Sequence, residues 1–303
     1  MEYVLTTKKL CKHYRKFQAL DNLDLHVEKG AIYGLVGKNG SGKTTLIRII
    51  TGLQHPSSGE FTLFGVKNTD NAMVKARRRT GAIVESPSPY LELSAQKNLE
   101  TEYDILGLPS YDGIEELLAI VGLENAGNKK VKNFSLGMKQ RLAIAMALCS
   151  SPDFLVLDEP INGLDPEGIV ELRELILKLN REKDITVLIS SHILGELSKL
   201  ATHYGFINSG KVLCEISAAE LEKACGKRIR VEVGDTKALA QVLDDMEMEY
   251  SVESNTVAYV YGKLDVTDFV LTLNERNCHV HSISEHDEDL ESFYINLMGG
   301  VSR

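Results

Sequence analysis

Apolar and polar residues alternate through Val4–Leu10 and again through Leu20–Val27, the period of half-buried antiparallel strands. Ile32–Val36 is a short apolar run suited to a buried strand, and Thr44–Gly52 has helical character. Gly59–Phe64 and Gly81–Val84 read as two more strands, after which Pro87 and Pro89 interrupt regular structure. Residues 94–122 read as two helices broken at Gly107-Leu108-Pro109, the second with Ile114, Leu117, Leu118 and Val121 at helical spacing. Ser135 is a good N-cap for an apolar helix running to about Cys149. Phe154–Leu157 and Ile185–Ser190 are continuous apolar runs, as strands buried on both faces require. Between them Asp165-Pro166 opens a helix, with Asp as N-cap and Pro at its first position. That helix carries Ile169, Leu172, Leu175, Ile176 and Leu179 on one face.

Beyond residue 218 the pattern restarts. Arg228–Val233 alternates strictly, with Ile229, Val231 and Val233 on one face. A helical stripe follows at Leu239, Val242, Leu243 and Met246, then strands near Glu249–Glu253 and Thr256–Tyr261. A second stripe (Val266, Phe269, Val270, Leu273), a strand near Cys278–Ser284 and a last helix with Leu290, Phe293, Tyr294 and Leu297 complete the segment. The order βαββαβ with a trailing helix predicts a ferredoxin-like α+β domain over 219–303, behind an α/β domain over 1–218.

Charge sharpens that division. Residues 219–303 hold 8 Lys+Arg and 17 Asp+Glu, a balance of −9, while residues 1–218 hold 26 of each and are neutral. Neither part has the basic excess of a nucleic-acid binder, and the Arg77–Arg79 run reads as a solvated loop face. The five cysteines form no C-x-x-C pair and read as reduced thiols of a cytoplasmic protein. No signal-like stretch opens the sequence and no apolar run approaches the ~18 residues of a membrane span, so any membrane work falls to a partner.

The most specific chemistry lies in Gly37-Lys38-Asn39-Gly40-Ser41-Gly42-Lys43-Thr44-Thr45, which fits the phosphate-loop pattern G-x-x-x-x-G-K-S/T. Such a loop turns its N–H groups inward onto a polyphosphate; Gly37, Gly40 and Gly42 permit the curvature because they lack a Cβ and tolerate φ > 0. Lys43 then supplies a point charge for the β- and γ-phosphates, and the Thr44 hydroxyl can ligate Mg²⁺. Placed between a strand and a helix, the loop predicts binding of a nucleoside triphosphate. Asp158 and Glu159 end a buried strand, where ligands bind in open α/β sheets: Asp158 can hold Mg²⁺ and Glu159 can polarise an attacking water. His192, at the end of the next buried run, can hydrogen-bond a γ-phosphate or serve as a structural histidine. Ser135 caps a helix whose free N–H groups offer a second phosphate site. Tyr14 and Phe17 offer an aromatic face for a purine, or simply cover core. His279 and His281, with His286 nearby, fit a solvent-facing strand better than a metal site.

Taken together, these residues resemble the nucleotide-binding subunit of an ABC transporter over roughly residues 1–218. Gly37–Thr45 resembles the Walker A motif, Phe154–Glu159 Walker B with its catalytic glutamate, and Phe134–Met138 the family signature. Asn162–Asp165 resembles the D-loop, His192 the switch histidine, and Tyr14 the adenine-stacking aromatic. The resemblance implies a mixed-sheet core with an antiparallel β subdomain and an α-helical subdomain. It also implies a head-to-tail homodimer or heterodimer, with ATP and Mg²⁺ between the phosphate loop of one subunit and Ser135 and Gly137 of the other, near Asp165. A separate transmembrane permease would hold the pair on the inner face of the membrane. Leu136 and Met138 depart from the usual signature, and Glu85 stands where the family usually places a glutamine near Mg²⁺. These variants resemble the branch exporting bacitracin, lantibiotics and similar peptides. The alternatives are a non-transport relative of the translation or DNA-repair type and a phosphate-loop kinase. A translation-type relative would carry two phosphate loops, repair relatives long heptads or zinc cysteines, and a kinase would not need Ser135, Asp165 and His192 together.

Overall fold

The computed structural model describes residues 2–85, 88–224, 228–261, 264–276, 278–286 and 290–300, so that Pro87 and Cys225 lie outside the described residues. The chain divides into two compact units, Met1–Ala218 and Ala219–Arg303.

The first unit opens with the hairpin β1 (Tyr3–Tyr14) and β2 (Phe17–Glu28), followed by β3 (Ile32–Val36) and α1 (Lys43–Ile50). After β4 (Ser58–Leu63), β5 (Val66–Lys67), α2 (Met73–Arg78) and β6 (Thr80–Ile83) come the helices α3 (Ala95–Leu106), α4 (Ile114–Ile120) and α5 (Leu136–Leu148). β7 (Phe154–Asp158), α6 (Pro166–Lys183), β8 (Thr186–Ser191), the short α7 (Leu194–Leu197), β9 (His203–Asn208) and β10 (Lys211–Ser217) complete it. The hairpin strands run longer than their alternation predicts, because Tyr14 pairs directly with Phe17 at the tip.

Two sheets result. The antiparallel one has the order β2-β1-β4-β5; the six-stranded one has the order β10-β9-β3-β8-β7-β6. In the second, β9, β3, β8, β7 and β6 are parallel and β10 is antiparallel to β9. Every residue of β3, β7 and β8 is buried, the condition that continuous apolar runs satisfy and alternating ones do not. Leu46, Ile47, Ile49 and Ile50 of α1 join Leu5, Leu20 and Leu25 of the antiparallel sheet and Phe154, Val156 and Leu188 of the parallel one in a single core. The helix behind the phosphate loop is thereby fixed from both sides. Because β3, β8 and β7 are adjacent, the loops at their C-terminal ends converge.

The second unit contains α8 (Ala218–Ala224), β11 (Arg228–Val233), α9 (Thr236–Asp245), β12 (Glu249–Val252), β13 (Val257–Tyr261), α10 (Val266–Glu275), β14 (Val280–His286) and α11 (Leu290–Gly300). Its sheet has the order β12-β13-β11-β14, all pairs antiparallel, which is the split βαβ arrangement. Ile229, Val231 and Val233 pack with Leu239, Val242, Leu243, Phe269 and Leu273 in a core of its own.

Candidate functional site

The turn between β3 and α1 is set by its glycines. Gly40 and Gly42 stand at φ 79° and 114°, in the left-handed region that favours glycine. Gly37 does not have positive φ; of the two properties expected of the loop glycines, it is the missing Cβ that matters here. A Cβ there would lie 2.5 Å from the Ile207 carbonyl oxygen and 2.6 Å from Ser41 Oγ. Lys38, Asn39 and Gly40 are exposed at the tip, Thr44 and Thr45 are half-buried, and Ser41 is buried. The Ser41 hydroxyl has no hydrogen-bond partner among the described residues. A buried polar atom left unpaired is costly, so an acceptor-rich group seated in the loop would relieve it.

Lys43 is only 5% exposed. Its ammonium donates to the Gly37 carbonyl at 2.6 Å and to the Lys38 carbonyl at 3.3 Å. It also lies 3.2 Å from Glu159 Oε1, close enough to pair electrostatically, though that oxygen is not aligned for a hydrogen bond. The other carboxylate oxygen of Glu159 is 2.8 Å from His192 Nδ1. Glu159 itself has φ 49°, an uncommon conformation for a non-glycine residue and one that concentrates at functional sites. Its amide donates to Ser190 Oγ at 2.9 Å and to the Ser190 carbonyl at 3.2 Å. Ser190 Oγ in turn donates to Asp158 Oδ1 at 2.6 Å.

Lys43, Asp158, Glu159 and His192 therefore form one cluster at the C-terminal ends of β3, β7 and β8. Ser190 ties the two carboxylates together. Sequence reasoning passed over it, and the available signal was a serine in an otherwise apolar buried run.

Three predicted residues lie on a separate, neighbouring arrangement. Ser135 Oγ accepts the Met138 amide at 3.2 Å and caps α5, while Asp165 Oδ1 accepts the Gly168 amide at 3.2 Å and caps α6. Gly137 is buried, and a Cβ on it would sit 3.8 Å from Gly168 Cα. Among the described residues these three make no hydrogen bond or ion pair with the Lys43 cluster.

Tyr14 and Phe17 do not cover core, being 38% and 60% exposed. The Tyr14 hydroxyl donates to Gln54 Oε1, and the Lys12 ammonium stands 5.3 Å from the ring centroid. Glu85 is not joined to Thr44 or Asp158. It sits at φ 65°, is 60% exposed, and is ion-paired with Arg48 in the last turn of α1. Arg48 had no role in the sequence reading, since nothing local marks a residue as the partner of one 37 positions away. No group of three or more His, Cys, Asp or Glu side chains among the described residues could hold a metal, and His279 and His281 are exposed.

A parallel sheet with a glycine-rich phosphate loop after one strand, and acidic and histidine side chains after its neighbours, defines a phosphate-loop nucleoside triphosphatase. The chain belongs to the ABC transporter family, whose model matches residues 20–162. It is 40% identical to the bacitracin transport ATP-binding protein BcrA of Bacillus licheniformis, over 99% of each chain. It is also 44% identical to the lantibiotic transport ATP-binding protein SrtF of Streptococcus pyogenes, over 70% of this chain and 90% of the relative. Among solved structures, the dimeric ATP-binding cassette MJ0796 bound to ADP and Pi superimposes with a TM-score of 0.63 at 27% identity, covering 71% of this chain and 98% of the other. The chain is thus an ATP-binding, ATP-hydrolysing subunit, and the translation or repair alternative is not favoured. None of the helices among the described residues is long and apolar enough to cross a membrane.

Proposed function

We propose that the chain powers export of a peptide or lipid-like compound, with antimicrobial peptides the favoured cargo, through a separate membrane permease that holds it at the inner face of the membrane. The names of the full-length relatives support this reading, together with the placement of Glu159 between Lys43, at 3.2 Å, and His192, at 2.8 Å. In this reading ATP lies with its phosphates against the Gly37–Thr45 N–H groups and Lys43, and its base against Tyr14. The buried, unpartnered Ser41 hydroxyl fits such an occupant. Thr44 and Asp158 are hard oxygen donors of the kind Mg²⁺ prefers and would hold it, with Glu85 joining them on leaving Arg48. Mg²⁺ supplies neutralisation of phosphate charge. Glu159 accepts the proton of the attacking water, and His192 orients that carboxylate from 2.8 Å.

Two subunits complete two sites, each taking Ser135 and Gly137 from the other and abutting it near Asp165. The dimeric arrangement of a solved relative supports that expectation. Whether the second subunit is identical or a homologue is decided by native mass spectrometry of the complex drawn from its own membranes. The export reading is tested in a strain lacking the gene. Raised sensitivity to bacitracin or to lantibiotics, cured by wild-type protein and not by Lys43→Ala, is expected. Unchanged sensitivity to both groups, in cells shown to express the protein and its permease, refutes it.

A further inference from the structure

Leu136 is the first residue of α5, directly after the Ser135 cap, and it is a large apolar side chain left 45% exposed. Its buried part rests on the turn that follows Glu159. Gly163 in that turn has φ 77°, and a Cβ on it would stand 3.2 Å from Leu136 Cδ2, so the leucine methyl borders the space that a side chain at 163 would take. The turn is in turn hydrogen-bonded to Glu159: the Asn162 amide donates to the Glu159 carbonyl at 3.2 Å, and the Leu164 amide to the Ile161 carbonyl at 3.3 Å. Beyond the turn the chain is anchored, since Asp165 caps α6 and Gly137 packs against Leu164 and Gly168. Arg141 of α5 reaches Glu171 of α6 at 3.4 Å and fixes the two helices to each other.

Glu159 holds a sparsely populated backbone conformation, and such a conformation persists only when its surroundings over-determine it. Its amide is fixed by Ser190 on one side. Its carbonyl is fixed by the 161–165 turn on the other, and Leu136 is a side chain that bears on that turn. We propose that Leu136 is a positioning residue for Glu159 of its own chain, acting through the turn at Gly163. The proposal rests on the reading of Glu159 as general base. It makes the start of α5 a support for the hydrolytic site of the same subunit, in addition to any contact it makes with a second one. A glycine at position 136 would leave the turn without this support.

The experiment measures steady-state and single-turnover ATP hydrolysis by the full-length chain as wild type, Leu136→Ala, Leu136→Met, Gly163→Ala, Glu159→Gln and the double variant Leu136→Ala/Glu159→Gln. Misplacing a catalytic group by about 1 Å can cost ~10²-fold, so Leu136→Ala is expected to lower kcat about 10- to 100-fold. KM for ATP should stay within about twofold, because ground-state binding is untouched. Methionine, which reaches the same glycine, should restore most of the rate. Gly163→Ala approaches the contact from the other side and should lower kcat without raising KM. In the double variant the Leu136 substitution should add nothing to Glu159→Gln, since there is no base left to position. ATP-driven dimerisation of Glu159→Gln, followed by size-exclusion chromatography, should be the same with and without Leu136.

A rate loss that multiplies with Glu159→Gln, or a raised KM with weakened dimerisation, overturns the proposal and leaves Leu136 as an interface contact only. Wild-type turnover by Glu159→Gln overturns instead the reading of the glutamate.

Discussion

Ser190→Ala offers the sharpest test of how the site is built. Ser190 is fully buried, and its hydroxyl serves both carboxylate residues: it donates to Asp158 Oδ1 at 2.6 Å and accepts the Glu159 amide at 2.9 Å. Removing it leaves Asp158, which is 3% exposed, without that donor. A hydrogen bond to a charged group contributes ~1.5–3 kcal/mol, and the loss is felt in full where water cannot substitute. The Glu159 amide loses less, because it retains the Ser190 carbonyl at 3.2 Å; about 0.5–1 kcal/mol covers that term. The expected destabilisation is therefore about 3 kcal/mol. For a unit of this size it corresponds to a fall in Tm of ~6–12 °C.

Ser191→Ala is the internal control. It is equally buried, but its hydroxyl accepts one neutral amide, from Ile193 at 2.9 Å, so about 1 kcal/mol and ~2–4 °C are expected. Differential scanning calorimetry of the two variants and the wild type, with the transition of the first unit assigned by ATP-induced shift, gives the comparison. Equal losses for the two serines, or a larger loss at Ser191, would show that the Asp158 contact contributes little, and the account of the cluster would fail.

Four further outcomes are expected. Glu159→Gln should lower ATP turnover by ~10²–10⁴ while retaining ATP binding, whereas Lys43→Ala should weaken binding itself, as fluorescent-nucleotide titration would reveal. Glu85→Gln should raise the Mg²⁺ concentration for half-maximal hydrolysis and weaken stimulation by the permease; Arg48→Gln, which frees the carboxylate, should lower that concentration, and superimposable Mg²⁺ titrations would reduce Glu85 to a loop acid. Burial, with Glu102 as a second cause, pushes the Cys149 thiol up to about 12, so its thiolate is negligible near neutrality, and iodoacetamide at pH 8 should leave it unmodified in the folded chain by mass spectrometry. A chain ending at residue 218 should bind ATP with unchanged affinity, because the second unit has its own core; loss of binding in a truncation whose circular dichroism is native would refute that.

How far the sequence reveals the molecule depends on the reach of each interaction. The phosphate loop is legible because its demands fall on consecutive residues: the glycines, Lys43 and Thr44 act on one ligand from one turn, so spacing alone encodes the geometry. The caps Ser135 and Asp165 are legible for the same reason, each serving an amide three residues on. The buried strands β7 and β8 announce themselves by losing alternation, which only two-sided burial requires. Gly37 looked like the other loop glycines, yet its constraint is the Ile207 carbonyl from a strand 170 residues later. Local pattern carries no trace of that approach. Ser190 and Arg48 escaped for the same reason, since their partners Asp158 and Glu85 are distant in sequence and become neighbours only once β7 lies beside β8 and α1 lies near the end of β6. Leu136 is the mixed case. As a departure from the family's glycine it is visible in the sequence, but a substitution says nothing about what the new side chain touches. Only the fold brings it onto Gly163, two residues from the Ile161 turn and four from Glu159. The sequence thus names the groups proposed to meet the nucleotide, while the groups that hold those groups in place emerge from topology. The variants that separate these two roles are the ones that leave ATP binding intact and change only the rate.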